Sequence, residues 1–204
     1  MTKELVIATF NLHKLEEIKS ILPPLPLRLR ALSEFPGAVP AEEHGLTLEE
    51  NAGLKAAAAA RFTGLWALAD DTGLEVDALG GAPGVRSARF AGERADSAAN
   101  NELLLSKLSG VPPEKRTARF ACVVALAGPS GELSFSRGTL EGRIGLSYSG
   151  ANGFGYDPLF QVGSGPGTLA GLSAAEKNSL SHRARALAGL APLLERLCRG
   201  RGPG

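Results

Sequence analysis

The segment Glu4-Leu5-Val6-Ile7-Ala8-Thr9, followed at once by a helical repeat, constrains this chain most tightly. Its continuous apolar, β-branched run reads as a strand buried on both faces. Leu12, Leu15, Ile18 and Leu22 then recur at helical spacing, with Lys14, Glu16, Glu17 and Lys19 between them. Asn11 stands where a helix N-cap belongs. A buried strand that turns directly into an amphipathic helix must be covered by further layers, which points to an α/β or α+β architecture.

The rest of the chain continues the alternation. Residues 27–32 alternate like a strand, and a helix is predicted from Thr47, whose spacing to Glu50 is that of a capping box, to the stop at Gly64. A strand then runs from Leu65 to Val76, and a Gly/Pro-rich loop spans 80–92. A capped helix follows over 96–110, and two strands around Gly128–Glu132 form a hairpin. One last helix is predicted from near Ser173 to Cys198, with Pro192 marking a kink or a break. No internal repeat or linker interrupts this order. Residues 1–198 therefore read as one domain, bilobed or not, and 199–204 as a flexible tail.

Composition narrows the function. A net charge of +1 gives no electrostatic case for a nucleic-acid polymer or a membrane surface. The first apolar run is too short for a signal peptide or a membrane span. The two cysteines lack metal-type spacing, which favours a reducing, cytoplasmic setting.

Four constellations carry possible chemistry. Thr9, Asn11 and Lys14 lie at a strand-to-helix turn, either an anion-binding helix start or an ordinary cap with a solvated lysine. Glu42 and Glu43 precede a helix and Asp70 and Asp71 end an apolar strand. Adjacent aspartates on a strand face opposite sides, and carboxylates from separate segments hold Mg²⁺ beside phosphates, although acidic pairs also favour turns. Arg86 and Arg89 lie in the 80–92 loop, as anion partners or exposed loop residues. Finally, Ser149–Phe160 joins glycines to Phe154, Tyr156 and Asp157. Here Phe154 or Tyr156 would stack on a flat ring, with Asp157, His182 and Arg183 at its polar edge, or the segments are a packed turn and a capped helix; Lys177 and His182, five apart, need not share a face.

Taken in series, Ala8–Lys14, Glu42–Ala56, Ala67–Gly92, Asn152–Phe160 and Ser181–Leu187 resemble the inosine triphosphatase family, the non-standard purine nucleoside triphosphate pyrophosphatases. The resemblance implies an elongated α/β fold with a central mixed sheet and two lobes forming a nucleotide cleft. It implies hydrolysis of ITP, dITP and XTP to the monophosphate and pyrophosphate with Mg²⁺, by a homodimer, clearing deaminated purines from the nucleotide pool. Thr9, Asn11 and Lys14 match the triphosphate turn, with Phe10, Leu12 and His13 at its variable positions. Glu43 and Asp71 match the metal positions, Asp71 also the activation of water, and Thr72 the hydroxyl beside the substrate. Phe154, Gly155, Tyr156 and Asp157 match the base-binding loop, which Lys177, His182 and Arg183 complete. Arg86 replaces an aromatic residue of the family pattern. Two other readings compete: the related Maf-like pyrophosphatases, against which the Phe154–Asp157 and Ser181–Ala186 motifs argue, and a non-catalytic nucleotide sensor, against which Lys14, Glu43, Asp71 and Lys177 argue.

Overall fold

The computed structural model describes residues 3–163 and 167–199. The expected tail from 200 onward lies outside them. Strands and helices alternate as β1 (Lys3–Ile7), α1 (Leu12–Ile21), β2 (Leu27–Ala31), α2 (Leu48–Thr63), β3 (Trp66–Val76), β4 (Pro83–Gly84), α3 (Ser97–Lys107), β5 (Thr117–Ala127), β6 (Leu133–Ile144), β7 (Phe160–Gln161), α4 (Ala174–Leu180) and α5 (His182–Cys198). The strands form one mixed sheet in the order β2-β1-β3-β5-β6-β7, with β4 on β3. β1 pairs in parallel with β2 and β3, while β4 and β7 pair antiparallel. This is the α/β class with a central mixed sheet expected from the sequence.

The chain divides into two compact units. Of the described residues, the first contains 3–71, 122–138 and 183–199. Its core joins Leu5 and Ile7 of β1, Ile18 of α1 and its C-cap Leu22, Leu68 of β3, Val124 and Leu126 of β5, and Leu187, Leu190 and Leu194 of α5. The second contains 72–121, 139–163 and 167–182. Its core joins Leu74 and Val76 of β3, Leu104 of α3 and its C-cap Leu108, Phe120 of β5, Ile144 of β6, and Tyr156, Leu159 and Phe160. The long strands β3, β5 and β6 each contribute residues to both units. Strands β3 and β5 are buried along most of their length, which explains their near-continuous apolar sequence.

Local signals set the helix ends. Asn11 caps α1 by accepting from the Lys14 amide at 3.2 Å. Thr47 and Glu50 form the capping box of α2, and Gly64 closes it in the left-handed region at φ 69°. The single C-terminal helix anticipated from Ser173 is two helices. Ser181 is extended, at φ −67° and ψ 154°, and separates α4 from α5, whereas Pro192 lies inside α5. Among the described residues no helix is long and apolar enough to cross a membrane.

Candidate active site

In the first unit, Asp70 and Asp71 do not end their strand as expected but lie in the middle of β3, which continues to Val76, and they face different partners, as strand alternation requires. The Asp70 carboxylate receives Lys14 Nζ at 3.2 Å and Arg183 Nη2 at 3.0 Å. Arg183, 1% exposed, also pairs with Glu17 of α1. Burial alone would raise the Asp70 pKa, but Lys14, Arg183 and Lys55 outweigh it and hold the carboxyl well below the usual carboxylate range. Asp70 therefore stays ionised well below the pH at which an exposed aspartate takes up a proton. It anchors Lys14 and the start of α5, and is a poor proton acceptor.

Asp71 differs. Its Oδ1 receives Lys55 Nζ at 2.7 Å, and the same ammonium reaches Glu43 Oε1 at 3.1 Å. Its Oδ2 is buried and has no hydrogen-bond partner among the described residues. Burial raises the Asp71 pKa, and Lys55 only partly opposes it. Lys55 is itself raised: desolvation lowers it, but Asp71, Asp70 and Glu43 prevail. One lysine thus gathers two carboxylates from separate segments. Two carboxylates, one keeping a buried oxygen without a protein donor, fit Mg²⁺, which takes one or two protein carboxylates and completes its shell with water and substrate phosphates. No group of three or more His, Cys, Asp or Glu residues suited to a metal occurs among the described residues.

The turn before α1 is built by its own side chains. Thr9 Oγ1 accepts from the Asn11 amide at 3.1 Å, and Asn11 Oδ1 is spent on the cap. Phe10, Leu12 and His13 are exposed around it.

The second unit builds a different object. Asp157 Oδ2 accepts from the Phe154 amide at 2.9 Å and from Lys177 Nζ at 2.7 Å, and Lys177 lies 4.6 Å from the Phe154 ring centroid. Gly153, at φ 78°, is required here, because a Cβ would collide with Asp157 Oδ2. Tyr156 is buried in the core, its hydroxyl donates to Ser87 O at 2.8 Å, and burial raises its pKa. Of the two candidate stacking rings, Phe154 alone is half-buried. His182 is buried and stacks on Phe120 with centroids 4.9 Å apart.

A family model described as the Ham1 family matches residues 5–193. The chain belongs to the Ham1 family. It is 52% identical over 194 residues to a dITP/XTP pyrophosphatase of Desulforamulus reducens, covering 95% of this chain and 96% of that one. It is 47% identical over 193 residues to the dITP/XTP pyrophosphatase of Bacillus subtilis, covering 95% and 98% of the two chains. A solved Ham1 protein from Coxiella burnetii superposes with a TM-score of 0.85 at 42% identity, covering 94% of this chain and 98% of that one. These matches bear out the family resemblance drawn from the five motifs.

Within this Ham1 chain the expected residues fall into the two clusters just described. Thr9, Asn11, Lys14, Glu43, Asp71 and Arg183 belong to the first unit, with Arg183 committed to Asp70 and Glu17. Phe154, Gly155, Tyr156, Asp157, Lys177 and His182 belong to the second, as does Thr72, half-buried on β3. The sequence reading missed Lys55 and Glu17. A signal for Lys55 was present: it lies four residues from Asn51 and from Ala59, both buried, so a lysine on the inner face of α2 called for an anion. Glu17 carried none, since at a surface helix position it looks like any solvated glutamate.

Proposed function

We propose that this Ham1 chain, acting as one domain over residues 1–198 in the cytoplasm as a homodimer, hydrolyses ITP, dITP and XTP to the nucleoside monophosphate and pyrophosphate. The observation that carries this reading is the Glu43–Lys55–Asp71 cluster beside Lys14, found in a chain about half identical to enzymes named dITP/XTP pyrophosphatase.

The triphosphate is assigned to the Thr9–Lys14 turn, where Lys14 and exposed amides supply positive potential. Mg²⁺, held by Glu43 and Asp71, would offset phosphate charge and orient the α-phosphorus. Asp71 takes the proton of the attacking water: its raised pKa makes it a better acceptor than an exposed aspartate, and Asp70 is too firmly paired to compete. The new water-oxygen bond forms at the α-phosphorus, the bond to the bridging oxygen breaks, and pyrophosphate leaves with its charge stabilised by Lys14. The purine is assigned to the Phe154 face, with Thr72 beside the nucleotide. Donors from Lys177 and His182 suit the 6-oxo group of hypoxanthine and xanthine and penalise the 6-amino group of adenine, while Arg183, held by Asp70 and Glu17, fixes the start of α5.

The test is turnover of ITP, XTP, ATP and GTP at equal concentration, with and without Mg²⁺. Monophosphate and pyrophosphate from ITP and XTP, only with Mg²⁺, support the proposal. Preferred consumption of ATP or GTP, or full activity in chelator, contradicts it. In the same assay Asp71→Asn abolishes turnover while ITP still binds.

A further inference from the structure

Helix α3 carries two adjacent buried asparagines, Asn100 and Asn101. Asparagine is a poor helix former and costly to bury, so each needs a local reason. Asn100 has a complete one: its Oδ1 accepts from the Ala91 amide at 2.8 Å and its Nδ2 donates to Ala88 O at 3.1 Å, which pins the Gly/Pro-rich loop. Asn101 has half of one. Its Nδ2 donates to Gly155 O at 3.0 Å, but its buried Oδ1 has no hydrogen-bond partner among the described residues. The side chain therefore sits in the core with one polar atom uncompensated, and its donor is what the fold uses.

That donor meets the loop assigned to the purine. Gly155 lies between Phe154 and Tyr156 and is held in the left-handed region at φ 62°. Besides the Asp157–Lys177 pair and its backbone bonds to Ala170, the loop is held by three bonds around Phe154–Asp157: the Phe154 amide to Asp157 Oδ2, Tyr156 Oη to Ser87 O, and Asn101 Nδ2 to Gly155 O. The first is internal to the loop and the second ties it to the 80–92 loop, which Asn100 holds in turn. The third is its direct bond to α3.

We propose that Asn101 is a positioning residue for base recognition: through Gly155 O it fixes the backbone that aims the Phe154 ring and the Asp157–Lys177 pair at the purine. The inference rests on the assignment of this loop to the base. Asn101 acts through the loop and not on the reacting phosphorus, so its loss should weaken binding of the base and spare binding of the phosphates.

The experiment compares Asn101→Asp, which keeps the shape and removes the donor, with Asn101→Leu, which keeps volume and removes both polar atoms. Inorganic tripolyphosphate serves as a phosphate-only inhibitor and Phe154→Ala as a control. In either variant KM for ITP rises by about tenfold, the weight of one lost hydrogen bond. In both, kcat stays within about threefold and inhibition by tripolyphosphate is unchanged. In the ¹⁵N-labelled native enzyme the Asn101 side-chain amide shifts with inosine monophosphate and not with pyrophosphate, a readout that does not require either variant to fold. If Phe154→Ala raises KM while both Asn101 variants and the native amide signal stay unmoved, the inference fails and the base assignment stands. If Phe154→Ala also leaves KM unchanged, the base assignment fails and takes the inference with it. A parallel rise in KM and in the tripolyphosphate constant means general loosening and overturns the positioning role.

Discussion

Two neighbouring aspartates illustrate how environment, not residue type, assigns chemistry. Asp70 and Asp71 are one position apart on β3, yet cations hold one below the carboxylate range and burial raises the other from its ordinary value. Lys55 controls the second: its ammonium counteracts the burial of Asp71. Replacing it with methionine removes that opposition, so the Asp71 pKa should rise further. In Lys55→Met the acid limb of kcat/KM for ITP should then move to higher pH, and the Asp71 carboxyl signal should titrate later in the metal-free protein. An unmoved limb would mean that the lysine does not tune the base. The opposite orientation of the two aspartates was legible from strand alternation. Which one takes the raised pKa was not, because that depends on Lys14, Lys55 and Arg183, which lie 56, 15 and 113 residues from Asp70 in the chain.

At the level of elements, local rules proved readable and long-range anchors did not. The caps at Asn11, Thr47 and Gly64 stand where sequence spacing puts them. Ser181 was harder, because Asn178-Ser179-Leu180-Ser181 holds no glycine or proline to announce the break between α4 and α5. Arg116 was invisible because its partners are backbone carbonyls, which leave no complementary side chain in the sequence. Almost fully buried just before β5, its guanidinium donates to Leu108 O at 2.8 Å, Val111 O at 2.9 Å and Gly145 O at 3.1 Å. It ties the end of α3 and the loop after it to the end of β6. Arg116→Met keeps much of the packing but removes three charge-assisted bonds, and should cost about 3 kcal/mol or more in urea unfolding. A loss below about 1 kcal/mol would show that water replaces the guanidinium readily.

Across the molecule, the buried charges couple stability to pH. Asp70 has a folded pKa below its unfolded value of 3.8, so its contribution is complete above that pH and is lost as pH falls below it. Asp71, with a raised folded pKa, acts in the opposite sense: its charged form opposes folding, and folding gains as pH falls through its raised value. In chelator the urea midpoint should therefore hold or rise on mild acidification and drop steeply below pH 3.8. Asp70→Asn should be less stable at neutral pH, since it leaves Lys14 and Arg183 short of an anion, and its midpoint should fall less steeply in acid. Equal slopes in the two proteins would remove Asp70 from the account.

The central claim is that water attacks the α-phosphorus of a non-canonical purine triphosphate. Hydrolysis of ITP in H₂¹⁸O with Mg²⁺, followed by mass analysis of both products, tests it most directly. The account predicts one ¹⁸O atom in inosine monophosphate and unlabelled pyrophosphate. Label in pyrophosphate would move the attack to the β-phosphorus, and labelled phosphate with inosine diphosphate would move it to the γ-phosphorus; either result contradicts the account.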